Sequence, residues 1–323
     1  MLIGYQRIWD TLTGSASKNK LAHAYLFCGS SGTGKITLAK EFVKWLFCEK
    51  IKSQELSDGQ PCGLCRSCQE IEKNNHPDLL MVLADKEEKS SEIGIGKIRT
   101  LQHQLSFYPY KSSLKVVIIE EAHNLTREAA NAFLKTLEEP SSRSLIILTS
   151  SAGDSILPTI LSRCQLIKFL PVPLGELKRG LEDLGAKGLV LDKIVKLSAG
   201  RPGYARNLLS KQTLLSEHEA HIKKLEDILK ADLVFRFEAA KELSQDVYLA
   251  KEILSQWLLY LRDRLLEISG QAGLLIDEKN PSKINCSSSS LLLACREIIK
   301  AQDSLGNTSF NARLVLEVLL MKI

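Results

Sequence analysis

At 323 residues the chain is long enough for two or three domains. Its 44% hydrophobic and 25% charged residues are the balance of a folded protein, which excludes a disordered or fibrous one. No apolar run approaches the roughly 18 residues of a membrane span, and the start mixes polar with apolar residues, so no membrane contact is expected and the expected compartment is the cytoplasm. A net charge of +5 permits contact with nucleic acid without arguing for it.

From Ala24 to Leu170 short apolar runs alternate with longer amphipathic stretches. AYLFC reads as a buried strand and GKITLAKEFVKWLFC as a helix; DLLMVL is a second strand and IGKIRTLQHQLSF a second helix. KVVIIEEA gives a third strand, TREAANAFLKTLEEP a helix closed by Pro140, SLIILTS a fourth strand and QLIKFL a fifth. Strands separated by helices imply crossovers and a parallel sheet covered on both faces, with ligands at the carboxyl ends of the strands. Residues from about Leu174 to Leu209 read as short helices around a turn at Gly200, Pro202 and Gly203. From Lys211 onward the chain is helical, interrupted by a polar segment, GQAGLLIDEKNPSKINCSSS, that reads as a loop. The expected fold is an α/β domain with a parallel sheet (1–170), a small helical domain (171–210) and an all-α C-terminal domain (211–323).

CGSSGTGKIT, Cys28 to Thr37, lies between the first strand and its helix. Such a glycine-rich turn exposes backbone N–H groups that cradle phosphate, so Gly29, Gly32, Thr33, Gly34 and Lys35 are candidate ATP or ADP ligands. The next position normally carries a hydroxyl for Mg²⁺, and here it is Ile36. Thr37 is a candidate but no simple replacement, because one helical residue turns the side chain by about 100°. At the end of the third strand Glu120 could hold Mg²⁺ and Glu121 could act as a base, although Glu120 is one methylene longer than the usual Asp. Phosphate cradling and Mg²⁺ binding therefore come apart in this sequence, and Mg²⁺ is not expected.

Cys62, Cys65 and Cys68 fall at x2 spacing, and Cys48 ends the preceding helix. Four thiolates suit a structural tetrahedral Zn²⁺. An iron–sulfur cluster is the competing reading, and nothing else in the chain suggests redox work. Cys28, Cys164, Cys286 and Cys295 stand among apolar residues and read as small buried hydrophobes. Lys97 and Arg99 open a helix, where they read either as a solvated face or as phosphate contacts.

HAYLFCGSSGTGK, the four-cysteine insert, NHPDLLMV, KVVIIEEAHNLTREAANAFLKTLEEP and LPTILSRCQLIKF together resemble the AAA+ clamp-loader subunits of bacterial DNA polymerase III. The resemblance is strong from Leu2 to Leu209 and weak in the helical C-terminus. Within that family the chain is more similar to the delta-prime branch than to the hydrolysing motor branch, called tau or gamma. It implies an AAA+ P-loop domain, a helical lid and a collar that joins subunits into a hetero-oligomeric ring. It also implies tau or gamma and delta as partners, with the sliding clamp and primed DNA engaged through the complex.

The resemblance implies two departures from the motor branch, Ile36 and Gly203, the latter standing where motors carry an arginine that senses the γ-phosphate; Arg201 and Arg206 do not match that position. Ser162-Arg163-Cys164 is retained, and by resemblance Arg163 is a finger offered to a neighbour's ATP site, with Thr149 at a sensor position after the fourth strand. His23 to Tyr25 and the N-terminal GYQRI would lie near the base. No independent ATPase is expected, only participation in the polymerase holoenzyme; the alternatives are a hydrolysing motor subunit and a zinc-dependent nucleic-acid binding module. The closing helix, SFNARLVLEVLLMKI, fits a collar and the core of its own domain equally well.

Overall fold

The computed structural model describes residues 2–53, 59–83, 92–140, 143–211, 213–271, 275, 287–306 and 310–323. The chain divides into two compact units, one of residues 1–191 with 198–206, the other of residues 192–197 with 207–323.

The first unit is built on five parallel strands, β1 (Ala24–Cys28), β2 (Leu79–Val82), β3 (Lys115–Ile119), β4 (Ser144–Ser150) and β5 (Gln165–Lys168), in the order β2-β3-β4-β1-β5. Register is fixed by which face each apolar residue must reach, since a one-residue slip would exchange the two faces. Leu26 lies opposite Leu148 on one side and Leu166 on the other, while Val117 lies opposite Ile146. Ala24, Leu26, Val117, Ile119, Ile146 and Leu148 face one apolar layer; Tyr25, Phe27, Val116, Ile118, Leu145 and Ile147 face the other. Both layers are buried, which explains why these strands read as continuous apolar runs and not as alternating ones.

Five helices cover the sheet. On the first face, α5 (Ile95–Ser106) contributes Ile98, Leu101 and Leu105, and α6 (Arg127–Glu138) contributes Ala129, Phe133 and Leu137. The hydroxyl of Thr126 accepts the Ala129 N–H at 3.2 Å and caps α6. On the second face, α1 (Gln6–Ser17) contributes Trp9 and Leu12, α2 (Lys35–Phe47) contributes Leu38, Phe42 and Phe47, and α4 (Arg66–Glu72) contributes Ile71. Short helices α3 (Glu49–Lys52) and α7 (Pro158–Leu161) punctuate the connections. Beyond β5 come α8 (Leu174–Glu182), α9 (Gly188–Ser198) and α10 (Pro202–Ser210).

The second unit is helical: α11 (Thr213–Lys230), α12 (Leu233–Leu243), α13 (Val247–Ile268), α14 (Ser288–Leu305) and α15 (Ala312–Lys322). Asp232, Asp246, Ser287 and Asn311 cap the last four by accepting first-turn N–H groups. Its core gathers Leu225, Leu243, Trp257, Ile298, Leu316 and Leu320. Thus α15 packs one face into its own unit, while Leu314, Val318 and Met321 stay exposed. Among the described residues no helix is long and apolar enough to cross a membrane.

Two expectations shift in detail. Thr149 lies inside β4, paired with Phe27, and not after the strand. Cys28, Cys164 and Cys295 are half-buried at the margins of the cores instead of sealed within them. Cys286 and most of the polar segment before it lie outside the described residues.

Candidate functional site

The glycine-rich turn leaves β1 at Cys28 and enters α2 at Lys35, where Gly34 precedes the helix at φ +90°. The Gly29 N–H donates to the Ser150 carbonyl at 3.2 Å, tying the turn to the end of β4. Thr33 is fully buried and its hydroxyl donates to the Ser30 carbonyl at 2.8 Å. Lys35 turns back into this loop: its ammonium donates to the carbonyls of Gly29 at 2.6 Å and Ser30 at 3.0 Å. Burial lowers the Lys35 pKa, and the Glu121 carboxylate, 4.0 Å away, opposes that shift.

Glu121 follows β3 in a left-handed conformation, φ 49°, that carries its side chain toward the loop and the β4 terminus. Its N–H donates to Thr149 Oγ1 at 3.2 Å, and its Oε2 accepts the Ser151 N–H at 2.7 Å and lies 3.2 Å from His123 Nδ1. Burial alone would raise the Glu121 pKa, but the His123 hydrogen bond, the Lys35 charge and the Ser151 N–H hold it at about 2. Ile36 packs against the second apolar layer beside Leu38 and Ala39, and Thr37 and Glu120 are half-buried.

The first turn of α10 lies against the same loop. The Tyr204 N–H donates to the Gly32 carbonyl at 3.0 Å, and the Arg201 guanidinium sits 4.6 Å from the Tyr204 ring centre. Gly32, Thr33, Gly34, Lys35, Glu121 and Thr149 therefore share one locality. Arg163 belongs to another part of the unit. It follows α7, partly exposed, and its guanidinium donates to the carbonyl of Thr159 at 3.0 Å, to Ser162 Oγ at 3.1 Å and to Glu138 Oε1 at 2.7 Å.

Cys48 ends α2, Cys65 caps α4 and Cys68 sits in its first turn, which with Cys62 brings all four sulfurs within 4.8 Å of one another. The Leu64 and Cys65 N–H groups donate to Cys62 Sγ at 3.4 and 3.2 Å, and the Cys62 N–H donates to Cys48 Sγ at 3.5 Å. Burial raises the Cys62 pKa, but the Cys65 and Leu64 N–H groups, with the thiols of Cys48 and Cys65, outweigh it and bring the thiol to about 7. Four sulfurs bonded at about 2.3 Å to a tetrahedral ion stand roughly 3.8 Å apart, so the cluster fits Zn²⁺ with all positions filled by protein. This is a structural zinc site. Its helix is held to α2 by Lys44, whose ammonium meets Glu41 at 2.7 Å and Glu72 at 2.5 Å.

Sequence reasoning missed His123, Ser151 and the Tyr204 N–H, because each reaches the loop only through the tertiary fold. His123 had one available signal, its place two residues after Glu121 at the end of an apolar strand.

The family model described as DNA polymerase III, delta subunit, matches residues 4–173. The DNA polymerase III subunit delta' of Bacillus subtilis is 33% identical over 225 residues, 69% of this chain and 64% of the relative. The corresponding subunit of Pseudomonas aeruginosa is 34% identical over 208 residues, 63% of this chain and 60% of the relative. Subunit tau of Bacillus subtilis is 37% identical over 168 residues, 52% of this chain and 28% of the relative. The chain matches less than two thirds of the length of each of these relatives. On the family match and these likenesses, the chain belongs to the clamp-loader subunit family of DNA polymerase III, the group that holds delta', tau and gamma.

Proposed function

We propose that this chain is a delta-prime-type assembly subunit of the clamp loader: an AAA+ protein that completes a neighbour's ATP site without hydrolysing ATP itself. The observation that carries this reading is a contrast. Ile36, at the position of the Mg²⁺-seating hydroxyl, packs half-buried against an apolar layer, while the Arg163 guanidinium stands partly exposed at the end of α7, paired with Glu138. A cationic fork of this kind can stabilise charge on a phosphoryl group transferred in an adjacent subunit.

In this reading residues 1–170 form the AAA+ domain, 171–210 a lid and 211–323 a collar. The partners are the tau or gamma and delta subunits, and through them the sliding clamp and primed DNA in the cytoplasm. The exposed stripe Leu314, Val318 and Met321 supports a collar contact. Reconstitution of the complex with Arg163→Ala tests the assignment. Assembly should persist while DNA-stimulated ATPase and clamp loading fall; an unchanged ATPase, or Mg²⁺-dependent turnover by the isolated chain at a motor's rate, overturns it.

A further inference from the structure

Arg163 is held by two kinds of partner. Its Nη1 donates to the Thr159 carbonyl at 3.0 Å and to Ser162 Oγ at 3.1 Å, both in α7 or the residue that ends it. Its Nη2 donates to Glu138 Oε1 at 2.7 Å, the shortest of these three bonds and the one made to a charged group. Glu138 is the last residue of α6, 25 residues earlier in the chain. Phe133 and Leu137 seat α6 on the sheet, and α7 joins the same apolar layer through Ile160. The bonds to α7 fix the guanidinium only against its own short helix. The bond to Glu138 fixes it against the sheet.

A carboxylate at this point does nothing for α6 itself, because a helix C-terminus already carries partial negative charge and disfavours an acid in its last turn. Nor does the pair add much to the fold: with the Glu138 side chain 50% exposed and that of Arg163 35% exposed, water screens the attraction. What the bond supplies is order. An unattached arginine samples many rotamers, and a guanidinium that must meet charge developing on a phosphoryl group acts best when it is already in place.

We propose that Glu138 is a positioning residue for Arg163: its charge-assisted bond holds the guanidinium in one orientation, so that the phosphoryl group of the adjacent subunit meets it already aimed. This inference rests on the reading of Arg163 as a finger offered in trans, and it adds the residue that aims the finger. Glu138 touches no nucleotide in this role and acts through Arg163 alone.

DNA-stimulated ATPase of the reconstituted complex is measured over a range of ATP concentrations for the parent chain, Glu138→Ala, Arg163→Ala and the double variant. Glu138→Ala should lower kcat by about threefold, less than Arg163→Ala does, with KM for ATP unchanged, because orientation toward the transition state does not enter ground-state binding. In the Arg163→Ala background it should change nothing further, since its effect runs through the guanidinium. The melting temperature of the chain and the yield of assembled complex should stay at parental values. If Glu138→Ala fails to fold or to assemble, Glu138→Gln decides, with a smaller fall in kcat and no added effect beside Arg163→Ala.

An equal loss with and without Arg163 marks a structural role and overturns the proposal, as does a parental kcat in Glu138→Ala while Arg163→Ala is impaired. A kcat above the parental value overturns it too, because the carboxylate then holds the guanidinium back. Arg163→Ala with the parental ATPase overturns instead the reading of the finger, so the two failures are distinguishable.

Discussion

The Glu70 carboxylate on α4 accepts the Lys111 ammonium at 2.9 and 3.0 Å, joining the zinc-bearing helix to the loop that leads into β3. Because Cys65 and Cys68 hold the first turn of α4, metal and loop are mechanically connected. Chelation, or Cys65→Ser, should release about one zinc per chain, lower the melting temperature and speed hydrogen exchange at Tyr110 and Lys111. The β-strand amides should remain protected, since both apolar layers stand without the ion. Metal analysis and exchange mass spectrometry check this; a chain that holds no zinc as purified, or an unaltered loop after its loss, contradicts it.

Asp78 fixes the same loop from below. Its buried carboxylate accepts the N–H groups of Tyr110, Lys111 and Ser112 at 2.6, 2.8 and 2.7 Å. Burial pushes its pKa up, and the backbone donors more than reverse that, leaving it lowered. Asp78→Asn exchanges one acceptor oxygen for a donor facing N–H groups, and should cost about 2–4 kcal/mol in urea unfolding.

Glu121 sets an acid limb. Its pKa of about 2 in the folded chain lies below the ordinary 4.5, so its contribution is fully present above 4.5 and drains away as pH falls toward 2. Glu121→Gln should flatten that limb in thermal melts between those values and lower stability at pH 7 by about 1–3 kcal/mol. A melt profile that keeps the parental slope would locate the acid sensitivity elsewhere.

Ile36→Thr addresses the magnesium question. On its own it removes apolar contact from the second layer and should destabilise the chain by roughly 1–2 kcal/mol. It also supplies a hydroxyl at the start of α2, and Mg²⁺ should then tighten ATP binding by about tenfold. If the parent chain already responds to Mg²⁺ as strongly, Thr37 or Glu120 seats the ion and the hydrolysing alternative is favoured.

Much of the first unit was legible because its strands are buried on both faces: AYLFC, KVVII and SLIILTS stand out as unbroken apolar runs whatever their neighbours. The order of those strands was not legible, since nothing local in Ala24–Cys28 says that it lies between Ser144–Ser150 and Gln165–Lys168. The zinc ligands were readable because three of the four are three residues apart, and closure needs only one turn of chain. The environment of Glu121 was hidden for the opposite reason. Its left-handed backbone and its bonds to Thr149 and Ser151 arise where two strand ends converge. Asp78 carries no local signal at all, because its three partners begin at Tyr110.

The place of β1 in the sheet also governs how the chain is born. Its hydrogen-bonding edges pair with Ile146 to Ser150 and with Gln165 to Lys168, segments that leave the ribosome long after Ala24 does. This strand can therefore complete its pairing only after the zinc insert and two crossovers have been synthesised, a long-range closure of the kind that slows folding. Translation that pauses before Gln165 would leave that strand open to chaperones or to a second nascent chain.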